Sequence, residues 1–241
     1  MSAWLDPLRA VLDVSPATFF FRNDDAGLRD ELLRRLLDVF DRHGAPIDLA
    51  VIPCALGAEL AAELRSRDDL VGVHQHGFAH VNHEPVGRKA EFGSSRDEAQ
   101  QRHDIERGRS LLAELLGDAP EPIFTPPWNR CTDATAHALA VLGFRVLSRE
   151  SRAAELDAAG LQELPVHVDW FAHRKGVRLT RAELGDRLAA ATAGGGPVGV
   201  MLHHAVMDAG DRRGLDELLG LLAARARLVN MAALVEMPLR L

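Results

Sequence analysis

The chain has 241 residues, which is enough for one large domain with a substantial core and too few for two enzyme domains. Its 47% hydrophobic and 26% charged residues are ordinary for a globular protein and exclude the disordered and membrane-spanning classes. The net charge of -7 argues against a nucleic-acid-binding protein, which would carry a basic stripe for phosphates.

Apolar strand-like runs alternate with amphipathic helical segments along the chain. The pattern predicts strands at 18–22, 47–52, 70–73, 122–125, 144–147, 164–168, 198–202 and 227–230, and helices within 1–16 and at 28–42, 55–67, 96–116, 132–142, 180–193 and 214–226. Strands that are apolar on both faces and alternate with helices indicate a parallel α/β sheet. About eight strands favour closure into a barrel over an open sheet. The first strand is not followed by a Gly-x-Gly-x-x-Gly motif, which weakens the alternative of a dinucleotide-binding fold.

The N-terminal residues give an expectation about location. Residues 1–16 lack the basic region and uninterrupted apolar segment of a signal peptide, and no run is long enough for a membrane span. The two cysteines, Cys54 and Cys131, have no Cys-x-x-Cys pairing and fit reduced thiols. These features predict a cytoplasmic protein without a transmembrane segment.

A histidine cluster follows the third predicted strand. His74, His76, His80 and His83 fall within ten positions, and imidazole is the commonest protein ligand of transition metals. His76 and His80 stand four residues apart, so one turn of helix would put both rings on one face and form half of a metal site. A histidine-rich surface loop is the alternative interpretation.

Polar residues also follow four other predicted strands. The five groups are Asp24-Asp25, His74 to His83, Pro126 to Asn129, Asp169-Trp170 and His203-His204. Parallel barrels gather their active sites at the C-terminal ends of the strands, so these groups are expected to converge on one mouth. A carboxylate from the first group could complete the metal site.

Four short stretches in or beside these groups resemble the motifs of a known family, although one residue, Ala26, is inserted before the glycine of the first motif and Gly77 stands in the hydroxyl position of the second. They are Asn23-Asp24-Asp25-Ala26-Gly27 for aromatic-Asp-Asp-Gly, His76-Gly77-Phe78-Ala79-His80 for His-Ser/Thr-x-x-His, Thr125-Pro126-Pro127-Trp128-Asn129 for Arg-Pro-Pro-aromatic-Gly, and Leu202-His203 for a late Leu-His. With this order and strand context, residues from about 18 to 230 resemble the polysaccharide deacetylase family, which is carbohydrate esterase family 4 or the chitooligosaccharide-deacetylase homology domain.

The resemblance implies a single domain over residues 1–241, folded as a distorted, TIM-like (β/α) barrel with seven to eight mostly parallel strands. It implies one divalent metal ion held by Asp25, His76 and His80, with Zn²⁺ expected first and Mn²⁺, Ni²⁺ or Co²⁺ as alternatives. Asp24 would be the general base for a metal-activated water, and His203 the general acid. The reaction would remove the N-acetyl group of an amino sugar or glycan precursor.

Several positions depart from the family motifs or leave alternatives open. Thr125 replaces the family arginine that orients the catalytic aspartate; Arg22 shares a strand face with Asp24 and is preferred over Arg130 as a substitute. His204 is a rival to His203 for the acid, since only one of two neighbours on a strand should enter the pocket.

The remaining candidates are expected to bind substrate or to support the ligands. His74 alternates in phase with His76, and Asp169 either tunes His203 or binds substrate. Trp128 and Trp170 could stack on a sugar or simply pack, and Pro127 adjoins Trp128 in the third motif. Two other functions remain open, a hydrolase of another small amide and a catalytically silent barrel that binds glycans or partners.

Overall fold

The structure, a computed structural model, describes residues 2–67, 70–157 and 160–235. Its main sheet contains β1 (Thr18–Ala26), β2 (Ile47–Val51), β3 (Val71–His76), β4 (Pro120–Thr125), β5 (Val146–Leu147), β6 (Gln162–Glu163), β7 (Val168–Asp169), β10 (Pro197–Leu202) and β11 (Arg227–Leu228). A separate antiparallel hairpin joins β8 (His173–Arg174) to β9 (Val177–Arg178). The sheet order is β6-β5-β4-β3-β2-β1-β10-β7, with β11 also on β1, and every pairing in it is parallel.

One segment of the chain joins the two ends of this sheet. At its start Leu164 N–H donates to the carbonyl of Leu147, the last residue of β5, and three residues later His167 N–H donates to the carbonyl of Gly199 on β10. The sheet therefore curls back on itself as a distorted barrel, and the predicted parallel α/β barrel is confirmed. The predicted strand at 164–168 is not continuous: β6 ends before it and β7 begins at its last residue, because the chain changes partners between the two.

Eight α-helices surround the barrel in the part of the chain that the structure describes. They are α1 (Asp6–Leu12), α2 (Asp30–His43), α3 (Ala58–Ser66), α4 (Glu98–Leu116), α5 (Asp133–Val141), α6 (Arg181–Ala193), α7 (Ala209–Arg225) and α8 (Met231–Val235). In α2 the buried residues Leu33, Leu36, Leu37 and Phe40 repeat at intervals of three and four, which gives one apolar face toward the sheet. Within the described ranges, none of these helices is both long and apolar enough to cross a membrane.

The core has an outer and an inner layer because the strands are apolar on both faces. Phe19 and Phe21 belong to the cluster that β1 shares with the surrounding helices, whereas Phe20 packs with Ile123 and Met201 in a second cluster. Leu234 of α8 joins this second cluster, so the short C-terminal helix covers it from one side. Alternation along β1 thus explains why its apolar run is continuous.

The histidine segment differs from the helical turn expected for it. β3 extends as far as His76, and the chain then bends through Gly77 without forming a helix. His80 has a φ of 57°, in the left-handed region, so the two rings come together through a turn rather than through helical spacing.

Candidate active site

The polar ends of the parallel strands meet at one edge of the barrel. Asp25 at the end of β1 contacts His76 at the end of β3, and the charge of His203, just after β10, acts on the pKa of Asp24. Asp169 at the end of β7 is also close enough to His203 for the two charges to interact. This convergence follows from parallel strands, whose C-terminal ends share an edge.

Asp25, His76 and His80 form a compact set of three potential metal ligands. Asp25 Oδ1 lies 3.2 Å from Nε2 of His76 and 3.2 Å from Nε2 of His80. One ligand atom from each residue lies within 4.8 Å of the others. Burial favours the neutral form of Asp25, but the two imidazoles prevail and lower its pKa well below the usual range.

The tautomer of His76 is determined by the neighbouring strand. Its Nδ1 lies 3.0 Å from the carbonyl oxygen of Thr125, which can only accept a hydrogen bond, so the neutral ring carries its proton there. The lone pair of Nε2 then faces Asp25. Among the described residues, no donor in hydrogen-bond geometry reaches the buried Asp25 Oδ1. In this tautomer Nε2 of His76 and Oδ1 of Asp25 face one another without a proton between them, which fits a cation. Two imidazoles with one carboxylate suit a divalent transition metal.

Two consecutive aspartates enter the site because β1 is irregular at its end. The register between β1 and β2 shifts between Asn23 and Ala26, and Asp25 has a φ of 67°. In a regular strand Asp24 and Asp25 would point to opposite faces. The bulge and the left-handed residue turn both side chains toward the same mouth.

A buried carboxylate supports the bend that carries His80. Glu91 is fully buried, and its oxygens accept hydrogen bonds from the backbone N–H groups of Ala79 at 2.7 Å and Phe78 at 3.2 Å, with a longer contact of 3.5 Å to Val81. These residues flank His80 on both sides, so Glu91 holds the backbone that orients its ring. The sequence reasoning missed Glu91, which is one acidic residue in a polar loop and shows no periodic signal.

Glycine at position 77 follows from the same arrangement. Gly77 has a φ of 56°, and a Cβ there would lie 2.2 Å from Glu91 Oε2 and 2.6 Å from the ring of Pro127. A serine or threonine, as in the family motif, would collide with both. The buried Pro127 therefore acts as a packing partner of the bend.

Arg22 contacts Asp24 in the way expected of the family's third-motif arginine, which Thr125 replaces in this chain. Its Nε donates to Asp24 Oδ1 at 2.7 Å and its Nη2 to Asp24 Oδ2 at 2.9 Å. Further hydrogen bonds to Asn129 Oδ1 at 2.7 Å and Ser148 Oγ at 2.9 Å satisfy the fully buried guanidinium. Arg130, the other candidate, instead donates to the carbonyl of Lys89 at 2.7 Å.

The Arg22 contact keeps Asp24 ionised. Burial would raise the pKa of Asp24, but the guanidinium of Arg22, with smaller contributions from His76 and His203, lowers it below its usual value. At the vacated arginine position, Thr125 Oγ1 lies 2.9 Å from Nε2 of His74. Burial, followed by the charge of Arg22, lowers the pKa of His74 to about 3, so this ring stays neutral and supports the strand beside His76.

The two histidines after β10 have different surroundings. His204 is fully buried; its Nε2 donates to the carbonyl of Leu28 at 2.6 Å, and its Nδ1 lies 3.0 Å from the amide nitrogen of Asn23. Both ring nitrogens are therefore engaged inside the protein. His203 is half-buried, and its ring lies 6.3 Å from that of Phe171. Burial raises the pKa of the neighbouring Asp169, although the N–H of Phe171 and the charge of His203 oppose the rise.

The two tryptophans expected near a substrate also differ. The ring centroid of Trp128 lies 4.4 Å from that of His80, so Trp128 is part of the site. Its φ of 57° puts it in the left-handed region, a costly conformation for this residue type that is common at functional sites. Trp170 has the packing position that the sequence left open as its alternative: its ring is buried in the outer core, 6.3 Å from the ring of Trp4 and 4.8 Å from the guanidinium of Arg181.

A family profile described as polysaccharide deacetylase matches residues 15–147, which is more than half of the chain. The chain belongs to the polysaccharide deacetylase family. The matched range includes the Asp24-Asp25 pair, the His76–His80 bend and the Thr125 to Asn129 segment. No curated protein matches the sequence of this family member.

Solved structures with the same fold include an esterase and a pseudoenzyme. A Mycobacterium smegmatis protein assigned to the polysaccharide deacetylases matches with a TM-score of 0.69 and 21% identity, over 91% of this chain and 89% of that one. A family 4 acetyl xylan esterase from Clostridium thermocellum, in complex with a cobalt ion, matches with a TM-score of 0.59 and 16% identity, over 90% and 89% of the two chains. A CE4 family pseudoenzyme from Bacillus anthracis matches with a TM-score of 0.60 and 13% identity, over 93% of this chain and 70% of that one. At these identities the matches establish the fold alone.

Proposed function

We propose that this polysaccharide deacetylase family member is a metal-dependent hydrolase that removes the N-acetyl group from an amino sugar or a small glycan precursor. One observation carries the proposal: the ionised Asp24, paired with Arg22, lies directly beside the ligand set of Asp25 and the two histidines. A catalytically silent barrel would have no use for a carboxylate held ionised at that point. Because a pseudoenzyme is among the similar structures, the fold alone does not support catalysis, and the Arg22–Asp24 pair beside the ligand set is the deciding support.

Asp25, His76 and His80 would hold one divalent cation, with zinc as the first expectation and Mn²⁺, Ni²⁺ or Co²⁺ as alternatives. The cobalt ion of the Clostridium thermocellum esterase supports a divalent metal in this fold. When bound, such an ion supplies Lewis acidity, which makes a water molecule more acidic and an acyl carbonyl more electrophilic.

Asp24 is the general base in this proposal. The contact with Arg22 keeps its carboxylate ionised and fixes its orientation, so it can take the proton of the attacking water. The two hydrogen bonds hold both carboxylate oxygens, and Asn129 and Ser148 in turn hold the guanidinium. This network orients the Asp24 carboxylate, which is the role of the third-motif arginine in the family pattern.

His203 is the general acid, and it donates a proton to the leaving amine nitrogen. Its half-buried position and the neighbouring Asp169 carboxylate favour this role. His204 is unsuited to it, because both of its ring nitrogens are engaged with Asn23 and Leu28. Trp128, next to His80, offers an apolar face against which a sugar ring can stack.

The test is acetate release from a panel of N-acetylated sugars, measured with and without a chelator and combined with metal analysis. Turnover that the chelator abolishes and a divalent metal restores is the expected result. Asp25→Ala and His80→Ala should lower bound metal, whereas Asp24→Asn should keep the metal and lose turnover. His83→Ala, in the same segment but exposed, is the control and should change neither property. Full activity of Asp24→Asn would refute the assignment of the base.

A further inference from the structure

A pocket of about 460 Å³ lies next to the proposed acid. Asp169 lines it, and the carboxylate of Asp169 interacts with the charges of both His203 and Asp24. Met201 also lines it, and the sulfur of Met201 lies 3.1 Å from Nη2 of Arg22. The pocket therefore adjoins the catalytic residues on the side of the acid, and the three proposed metal ligands do not line it.

The pocket lining includes two arginines, Arg152 and Arg187. In the described ranges, neither Arg152 nor Arg187 forms a hydrogen bond or an ion pair. The two acidic residues of the lining have cationic neighbours of their own: Glu150 acts on the pKa of Arg130, and Asp169 interacts with His203. The guanidinium groups are thus free to bind an anion that enters the pocket.

An imidazole adds a neutral hydrogen-bond donor to the lining. Nδ1 of His167 accepts a hydrogen bond from the backbone N–H of Gly199 at 3.1 Å, so the proton of the neutral ring is on Nε2. Burial lowers the pKa of His167, which favours that neutral form. The pocket therefore combines two guanidinium groups with an N–H donor, which is the chemistry of a phosphate or carboxylate site.

We propose that this pocket binds an anionic substituent, a phosphate or a carboxylate, on the amine portion of the substrate. The proposal rests on the proposed function, because His203 protonates the leaving nitrogen and the group attached to that nitrogen must lie on the side of His203. The pocket volume is within the range of small-molecule sites and can hold a monosaccharide with a charged substituent. The substrate class is then an N-acetylated amino sugar that carries a negative charge.

Binding measurements test the proposal independently of turnover. The probes are N-acetylglucosamine 6-phosphate, N-acetylglucosaminuronic acid and neutral N-acetylglucosamine, titrated calorimetrically into the full chain and into Asp24→Asn. We expect at least one anionic sugar to bind about 10-fold more tightly than the neutral one, with weaker binding at high salt. The two anionic probes distinguish a phosphate site from a carboxylate site.

Variants then assign the preference to the pocket. The double variant Arg152→Gln/Arg187→Gln should lose the preference and keep its affinity for the neutral sugar. Arg102→Gln, an exposed arginine on α4 outside the pocket lining, is the matched control and should keep the preference. Both substitutions in the double variant are outside the core, so thermal melting should be unchanged.

The outcomes separate this inference from the proposed function. Equal affinities for the three sugars, binding of none of them, or a preference that survives in the double variant would overturn the inference. A preference that the double variant abolishes, without acetate release from any sugar, would support the pocket and refute the hydrolase.

Discussion

Arg22 and Asp24 lie two positions apart on β1 and are joined by two hydrogen bonds between the guanidinium and the carboxylate, of 2.7 and 2.9 Å. We predict that Arg22→Gln raises the pKa of Asp24, because its nearest positive charge is lost while the carboxylate stays buried. A base with a higher pKa remains protonated to higher pH, so the acid limb of the kcat/KM profile should move to higher pH. Loss of one partner of a buried pair should also cost about 3–5 kcal/mol of stability.

Two further variants make the Arg22 prediction specific. Arg22→Lys keeps the positive charge but not the two-pronged geometry, so it should recover stability and leave activity about 10²-fold below that of the parent. Arg130→Gln removes the rival arginine, which contacts the carbonyl of Lys89, and should leave the pH profile unchanged. If Arg130→Gln moved the acid limb and Arg22→Gln did not, the assignment would be reversed.

We predict that Glu91→Gln weakens metal binding while the fold persists. The carboxylate of Glu91 accepts hydrogen bonds from backbone N–H groups, and the NH₂ group of a glutamine would face one of these donors instead. The bend that carries His80 should therefore shift, and the free energy of unfolding should fall by about 1–3 kcal/mol. The expected result is at least a 10-fold weaker affinity for Zn²⁺ or Co²⁺ by calorimetry. Glu84→Gln is the matched control, since Glu84 accepts from Ser95 in the same loop and should leave metal affinity intact. Unchanged metal affinity in Glu91→Gln would show that this carboxylate does not position His80.

We predict opposite effects for the two histidines after β10. His203→Ala should lower kcat on amides about 10²-fold or more and leave the melting temperature unchanged. It should have little effect on 4-nitrophenyl acetate, because that leaving group needs no proton. His204→Ala should instead lower the free energy of unfolding by about 1–3 kcal/mol, since Asn23 and the Leu28 carbonyl lose their partner. An equal loss of amide and ester turnover in His203→Ala would contradict the role of acid.

We predict that Asp48 makes the protein less stable as the pH rises from about 4 to about 8. Asp48 is fully buried and accepts a hydrogen bond from the N–H of Met231 at 2.9 Å. Burial raises its pKa to about 8, so across this range the folded protein binds a proton that the unfolded chain, with a pKa of about 3.9, has released. The contribution of Asp48 to the free energy of unfolding should fall by at most about 1.4 kcal/mol per pH unit and level off above pH 8.

Urea denaturation at several pH values measures the Asp48 effect. Asp48→Asn keeps an oxygen for the Met231 N–H and should remove that part of the slope, so the variant gains stability relative to the parent as the pH rises. Asp38→Asn, an exposed aspartate on α2, is the control. Parallel stability curves for Asp48→Asn and the parent would refute the prediction.

The barrel could be predicted because its signals are local. Continuous apolar runs, helical periodicity and polar residues after five of the strands are all properties of neighbouring residues, and they indicated parallel strands with one shared polar edge. The replacement of the predicted strand at 164–168 by β6 and β7, and the hairpin from His173 to Arg178, had no such signal, because they depend on which partners the chain meets.

The sequence by itself determined the parallel barrel and the strand ends that meet at its mouth, because the strand patterns and the four motifs depend on neighbouring residues. It did not separate Trp170 from these residues or include Glu91 among them. Only the tertiary structure decided how those residues meet. The bulge at Asp24 and Asp25, the left-handed bend at His80 and the contact of Glu91 with that bend all depend on backbone shape and on neighbours distant in sequence. The choice of Arg22 over Arg130 has the same cause: a side chain can replace a missing one only where the packed fold brings its charged end within hydrogen-bond distance of the carboxylate.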